Sequence, residues 1–288
     1  MFVTLTTNTT IGRSTPRPVF VVDSEKHTSD LVSSDGFKIS RFLSKAGYES
    51  LAVVATSEND CKSEFTDIDV ECFKLKAAPR ISESELTELY TLLHKVIDET
   101  NANTLVISGS TNPGLGPLYF EKLRRVAFSE RIELVADITD DMAQAAIKRG
   151  GLALVKLSQG QLEAISGTTF KTLGTLIEAA WDMLRYENKR VLVTLGVKGS
   201  ILVDVDSAWF AHASNDKIWA AENAESAALS GYLTQKNKEP EIALKTAIAW
   251  GIVASKSSNI ADFDPSNIDD VAVKITRQPN MDKLLTQL

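Results

Sequence analysis

Short, uninterrupted apolar runs separated by stretches of helical periodicity constrain this chain more than any other feature. Residues 104–108, 133–137, 152–155 and 190–194 are rich in Val, Ile and Leu without polar alternation, the pattern of strands buried on both faces. Between them, 116–129, 141–149, 161–166 and 172–187 carry apolar residues at helical spacing. The alternation predicts βαβ units with right-handed crossovers, hence an α/β fold around a mostly parallel sheet. In such sheets ligands bind beyond the carboxyl ends of the strands. Ser108-Gly109-Ser110, Asp137 and Thr194-Leu195-Gly196 fall at strand ends on this reading. The stretch 48–82 differs: strands over 50–56 and 70–75 flank a polar connection, predicting a short β excursion from the sheet. Residues 243–255 read as a helix, followed by a polar turn and a last helical segment from about Ile268.

Composition narrows the partners. A net charge of -7 over 288 residues argues against nucleic acid or an acidic membrane surface, where a basic face is expected. No apolar run reaches the ~18 residues of a membrane span. The start, Met1-Phe2-Val3-Thr4-Leu5-Thr6, has no basic stretch leading into an apolar one, so no signal peptide is expected. Cys61 and Cys72 form no metal-binding spacing with each other or with a histidine. A disulfide between them remains open, with a reduced pair the blander reading. Together these features predict a cytoplasmic protein.

Several motifs, in order, resemble those of the ribokinase/PfkB carbohydrate kinases, closest to the phosphofructokinase and tagatose-phosphate kinase branch. Residues 4–12, TLTTNTTIG, resemble the opening strand and TxNPALD; 33–43, SSDGFKISRFL, resemble GGKGxNVARxL; 106–114, VISGSTNPG, resemble VxSGSLPPG. Further on, 155–163, VKLSQGQLE, resemble the IKPNxEELE run, and 193–200, VTLGVKGS, resemble VSLGxxG. Last, 223–233, NAESAALSGYL, stand where the family reads GAGDSMVAGFL. The correspondence spans nearly the whole chain. It implies a single domain over 1–288, a ribokinase-like three-layer α/β/α sandwich, with 48–82 as a shortened β lid over the sugar.

What the resemblance implies for chemistry is uneven. The family's sugar-holding Asp falls at Gly12, near Asn8. Of the glycines and Asn of the second motif only Gly36 remains, with Lys38 at the Asn position. Lys38 could meet a phosphate or carboxylate, or be a solvated lysine at a helix start. The NxxE element, which organises the water shell of Mg²⁺, falls at Ser158 and Gln161, both neutral. Glu163, two residues further on, reads as a helix-surface residue. No metal ligand set is expected among these positions, and His27, His94 and His212 lack ligand spacing.

The last motif departs most. In the family its glycines and helix start make an anion hole from backbone amides, and its Asp acts as general base. Here Asn223 and Glu225 replace the glycines around Ala224, and Ser226 replaces the Asp. A serine is no general base near neutral pH without its own activator, but is a good helix N-cap. Thr194, Gly196 and Gly199 border the nucleotide in the family and serve equally well in a tight turn. Asp137, Asp140 and Asp141 could bind a cation or cap the following helix.

The sequence thus predicts a PfkB-type protein whose chemistry has been removed, acting by binding a sugar phosphate, a nucleotide or a protein partner. The alternative is a divergent, active ATP-dependent sugar or sugar-phosphate kinase of the 1-phosphofructokinase kind, using ATP and Mg²⁺ and recruiting Glu222 or Glu225 as base. A third reading is a structural homodimer paired through the lid edge.

Overall fold

Ten strands among the described residues join in one sheet. The structure is a computed structural model that describes residues 1–7, 35–56, 68–75, 80–112, 114–116, 118–139, 142–213, 221–257 and 259–288. In chain order the first half gives β1 (Phe2–Thr6), α1 (Asp35–Lys45), β2 (Ser50–Thr56), β3 (Asp69–Lys74), α2 (Glu83–Thr100), β4 (Thr104–Gly109), α3 (Leu118–Glu130), β5 (Glu133–Ile138) and α4 (Met142–Arg149). The second half gives β6 (Leu154–Ser158), α5 (Gln159–Ser166), α6 (Leu173–Leu184), β7 (Val191–Thr194), β8 (Ser200–Val203), β9 (Ala208–Ala213), α7 (Ala221–Thr234), α8 (Pro240–Ala254) and β10 (Val273–Arg277).

The strand order is β10-β9-β8-β7-β6-β5-β4-β1-β2-β3. From β3 to β7 all neighbours are parallel. From β7 to β10 the pairs are antiparallel. After β1 the chain builds outward through β2 to β3, then reverses and builds from β4 to β7. With right-handed crossovers, that reversal puts helices on both faces. Leu105 and Ile107 of β4 enter one buried cluster with α2 to α6, while Val106 enters another with α1, α7 and α8. The sandwich is therefore α/β/α, as expected.

Local chemistry fixes the helix ends. Ser82 and Glu85 close a reciprocal capping box at the start of α2, and Asn101 ends it in the left-handed conformation at φ 50.

The structure corrects several expectations. The described strands of 48–82 do not leave the sheet: β2 and β3 extend it beyond β1, in parallel. The polar connection at 57–67 lies outside the described residues. Among the described residues no α-helix follows Ile268; a 3₁₀ turn over Pro265–Ile268 leads to β10, which pairs with β9, and only a short 3₁₀ turn over Leu285–Gln287 comes after it. The alternating Val273-Lys274-Ile275-Thr276 pattern, half-buried and exposed in turn, is that of an edge strand. The reduced-thiol reading fails for Cys72, which is disulfide-bonded; the only other cysteine, Cys61, lies outside the described residues. The redox argument for a cytoplasmic site goes with it. Among the described residues no helix is long and apolar enough to cross a membrane.

Candidate functional site

The site is built where the carboxyl ends of β4 to β7 meet the first turns of α7. Alternation along the strands turns Asp137 and Lys156 toward the α7 face, because their flanking residues Ala136, Ile138, Val155 and Leu157 all enter the opposite cluster. The register aligns Ala136 with Val155, which sets Asp137 beside Lys156. Lys156 Nζ lies 3.0 Å from Asp137 Oδ1 and donates to Glu225 Oε2 at 2.7 Å. The contact with Oδ1 is close enough for an ion pair yet off hydrogen-bond alignment. Ser108 Oγ, across β4, donates to Asp137 Oδ2 at 3.3 Å.

The Lys156 and Asp137 side chains are almost wholly buried, at 4% and 2% exposure, whereas that of Glu225 is 42% exposed. Burial by itself would pull the Lys156 pKa down. The charges of Asp137 and Glu225, with the hydrogen bond to Glu225, outweigh it and hold the ammonium well above its ordinary value. Lys156 therefore stays charged at neutral pH. Sequence reasoning placed Lys156 in a motif and Asp137 in an acidic cluster, but missed their pairing. The signal was a lysine inside the apolar run LALVKLS, since a charge in a buried strand needs a partner.

α7 begins at Ala221, so Asn223, Ala224, Glu225 and Ser226 are already helical. None of them has positive φ. In a helix starting there, the amides of Glu225 and Ser226 bond to the carbonyls four residues back. These are the amides that a glycine turn would leave free for an anion. Ser226 is consequently not an N-cap, as the sequence suggested. It is buried inside the helix at 2% exposure, and its carbonyl accepts from Ser230 Oγ at 2.8 Å. Asn223 Nδ2 donates to Ser257 O at 3.3 Å, fastening α7 to the chain just past α8. The side chain of Glu222, the other substitute base considered, lies outside the described residues.

The Mg²⁺ element does not fit the metal. Ser158 caps α5 in a capping box with Gln161: its side chain accepts from Gln161 N, and Gln161 Oε1 accepts from Ser158 N at 2.7 Å. Gln161 Nε2 also donates to Ile138 O at 3.1 Å. Both side chains are neutral and engaged in holding the strand-to-helix turn, which leaves no anionic oxygen for a hard cation. Glu163 accepts from Gln159 Nε2 and from Phe170 N. Asp140 and Asp141 lie outside the described residues.

The turn between β7 and β8 keeps its glycine geometry. Gly196 and Gly199 have φ of 60 and 113, and a Cβ on Gly199 would meet Ala211 O at 2.1 Å. Leu195 N donates to Gly199 O at 2.9 Å and closes the turn. Lys198 Nζ donates away from it, to Leu285 O at 2.8 Å. Between this turn and α7 and α8 lies a cavity of about 140 Å³. Thr194, Gly196, Gly199, Ala224 and Glu225 all line it; Asn223 does not. Its remaining walls are mostly apolar, including Val197, Ala228, Ile248 and Ile252.

The sugar side is less complete. Gly36 lies in the first turn of α1, where a Cβ would meet Thr6 Oγ1 at 2.3 Å, so close packing on β1 requires glycine. Lys38 is half-buried in the same turn. Asn8 and Gly12 lie outside the described residues, as does His27. His94 pairs with Glu130, joining α2 to α3, and His212 stacks on Phe210, so neither belongs to this site.

No family model matches the chain. It is 29% identical over 121 residues to ATP-dependent 6-phosphofructokinase isozyme 2 of Escherichia coli K12, covering 42% of this chain and 39% of that protein. It is 22% identical over 158 residues to D-tagatose-1-phosphate kinase of Klebsiella oxytoca, covering 55% and 52%. The matched stretches thus span about half the length of these curated relatives or less. Among solved structures, the tetrameric inhibited form of phosphofructokinase-2 from Escherichia coli superposes with a TM-score of 0.75 at 18% identity, covering 93% of this chain and 99% of that one. At that identity the superposition speaks for the fold.

Sheet order and layering define an α/β/α sandwich with the fold of the phosphofructokinase structures it superposes on. Within that fold its matched relatives and structural neighbours are phosphofructokinases and a tagatose-phosphate kinase, which the chain resembles.

Proposed function

We propose that this protein is a PfkB-type kinase homologue that has lost phosphoryl transfer and works by binding a ligand in the cavity between the β7–β8 turn and α7. One observation carries the reading: the Glu225 carboxylate, at a position where the resemblance calls for glycine, is paired at 2.7 Å with the buried Lys156. A phosphate approaching there would meet a carboxylate and an amide ladder already closed within α7. Ser226 stands at the general-base position and is buried. Loss of a general base alone costs about 10²–10⁴ in rate, and each missing anion donor about 10²–10³.

The test is ATP-dependent phosphorylation of fructose 6-phosphate, fructose 1-phosphate and tagatose 6-phosphate at high protein concentration with Mg²⁺. No turnover above the protein-free rate is expected. Turnover that survives repurification would overturn the reading.

The 42% exposure of Glu225 favours a second reading, in which this carboxylate substitutes as base in a divergent sugar-phosphate kinase. That reading requires turnover, and its loss in Glu225→Gln. Association with a second copy is also proposed, and the mass of the particle in solution checks it.

A further inference from the structure

The cavity beside α7 has a mostly apolar lining with one carboxylate in it. Most of its wall is apolar, with Val197, Ala228, Ile248 and Ile252 lining it beside the glycines of the turn. Glu225 lines it too, and its partner Lys156 also pairs with Asp137. One cation is thus set against two carboxylates in the cluster that Glu225 belongs to. The amides of Glu225 and Ser226, closed within α7, offer an anion nothing in compensation.

Apolar walls suit a heteroaromatic ring, which buries its faces without needing charge. A carboxylate accepts hydrogen bonds and donates none. The group it can hold is therefore a hydroxyl or an N–H, and a phosphate is repelled. We propose that the cavity takes an uncharged nucleoside, a planar base carrying sugar hydroxyls, in preference to its phosphorylated forms, with Glu225 as the specificity-determining residue. The base lies between the β7–β8 turn and the helices, and a sugar hydroxyl donates to Glu225. This inference rests on the reading that the cavity is the ligand site of a protein without phosphoryl transfer. It inverts the preference of a site built to hold phosphate: the anionic part of the ligand is excluded and the neutral part retained.

The experiment is calorimetric titration of the full chain with adenosine, AMP and ADP, and with guanosine and its phosphates, in the presence of EDTA. At least one nucleoside is expected to bind about tenfold or more tightly than its own mono- and diphosphate. Glu225→Gln keeps the size of the side chain and removes its charge, so it should narrow that ratio to about threefold or less. Ala224→Leu fills the cavity from a helical position that tolerates leucine; it should abolish nucleoside binding while the melting temperature stays near that of the parent. A diphosphate binding as tightly as its nucleoside overturns the inference without any variant. So does the absence of heat and of thermal stabilisation with every nucleoside. The phosphorylation assay separates the two claims: silence toward nucleosides without turnover sinks this inference alone, whereas turnover sinks the reading beneath it.

Discussion

The β7–β8 turn and the start of α7 face each other across one cavity, and they differ in backbone. The turn holds its two glycines at positive φ, one of them where no side chain fits, and the space beside it stays open. The start of α7 has no positive φ among the described residues of the motif, runs as regular helix from Ala221, and places Glu225 against Lys156. A site of this kind is held by backbone conformation as much as by side chains. Where the chain has glycine the turn holds positive φ; where it has Asn223 and Glu225 the backbone runs as regular helix and carries a carboxylate.

The largest effect should come from the lysine that anchors the α7 side. Lys156→Met leaves Asp137 buried without its cation, and breaking such a buried pair costs about 3–5 kcal/mol. Urea unfolding measures it; a loss below about 1 kcal/mol would mean the pair contributes little. The effect has a pH signature. Burial lowers the Lys156 pKa, but the two carboxylates more than offset this, so its folded value lies above the unfolded value near 10.4. A raised lysine contributes fully below the unfolded pKa and loses that contribution as pH rises through the folded one. The gap between parent and variant should therefore stay flat from pH 7 to about 10 and shrink only in stronger alkali.

Next in size is Gly199→Ala, on the other side of the comparison. It forces a Cβ toward Ala211 O at φ 113 and should cost about 1–3 kcal/mol by thermal melting. A neutral result would show that the turn is not held by its glycine.

Ser226→Asp then asks whether the acidic side chain that the resemblance puts at this position brings phosphorylation with it. It places a carboxylate in a buried helical position, so about 1–3 kcal/mol of stability should be lost, with no phosphorylation gained. Turnover in this variant would show that α7 opens into a catalytic turn.

The smallest effect is at α5, where Ser158→Ala removes a cap worth about 1 kcal/mol. Nucleoside binding should not change, because Ser158 lies outside the cavity lining. A change in affinity would give the α5 capping box a part in the ligand site.

How much of this was legible in the sequence depended on what each residue type can signal alone. The parallel strands were readable from their apolar runs, and the β7–β8 turn from its glycines. Ser226 was misread as a cap because serine followed by an apolar run looks like a helix start. The preceding Ala-Ala-Glu-Asn-Ala-Glu run is rich in strong helix formers and carries the helix back past it. β10 was missed although its Val-Lys-Ile-Thr alternation has the period of a strand. The pairing of Lys156 with Glu225, 69 residues apart in sequence, depends on which strands lie side by side and on where α7 begins. Neither is written in local pattern.

Amide hydrogen exchange at Glu225 and Ser226 tests most directly whether the phosphate side is closed. Both amides should be protected in the ligand-free protein to the level of the α7 interior, and unchanged by ADP with Mg²⁺. Fast exchange without ligand, slowed when ADP is added, would mean that the two amides are open donors and that the anion site is intact.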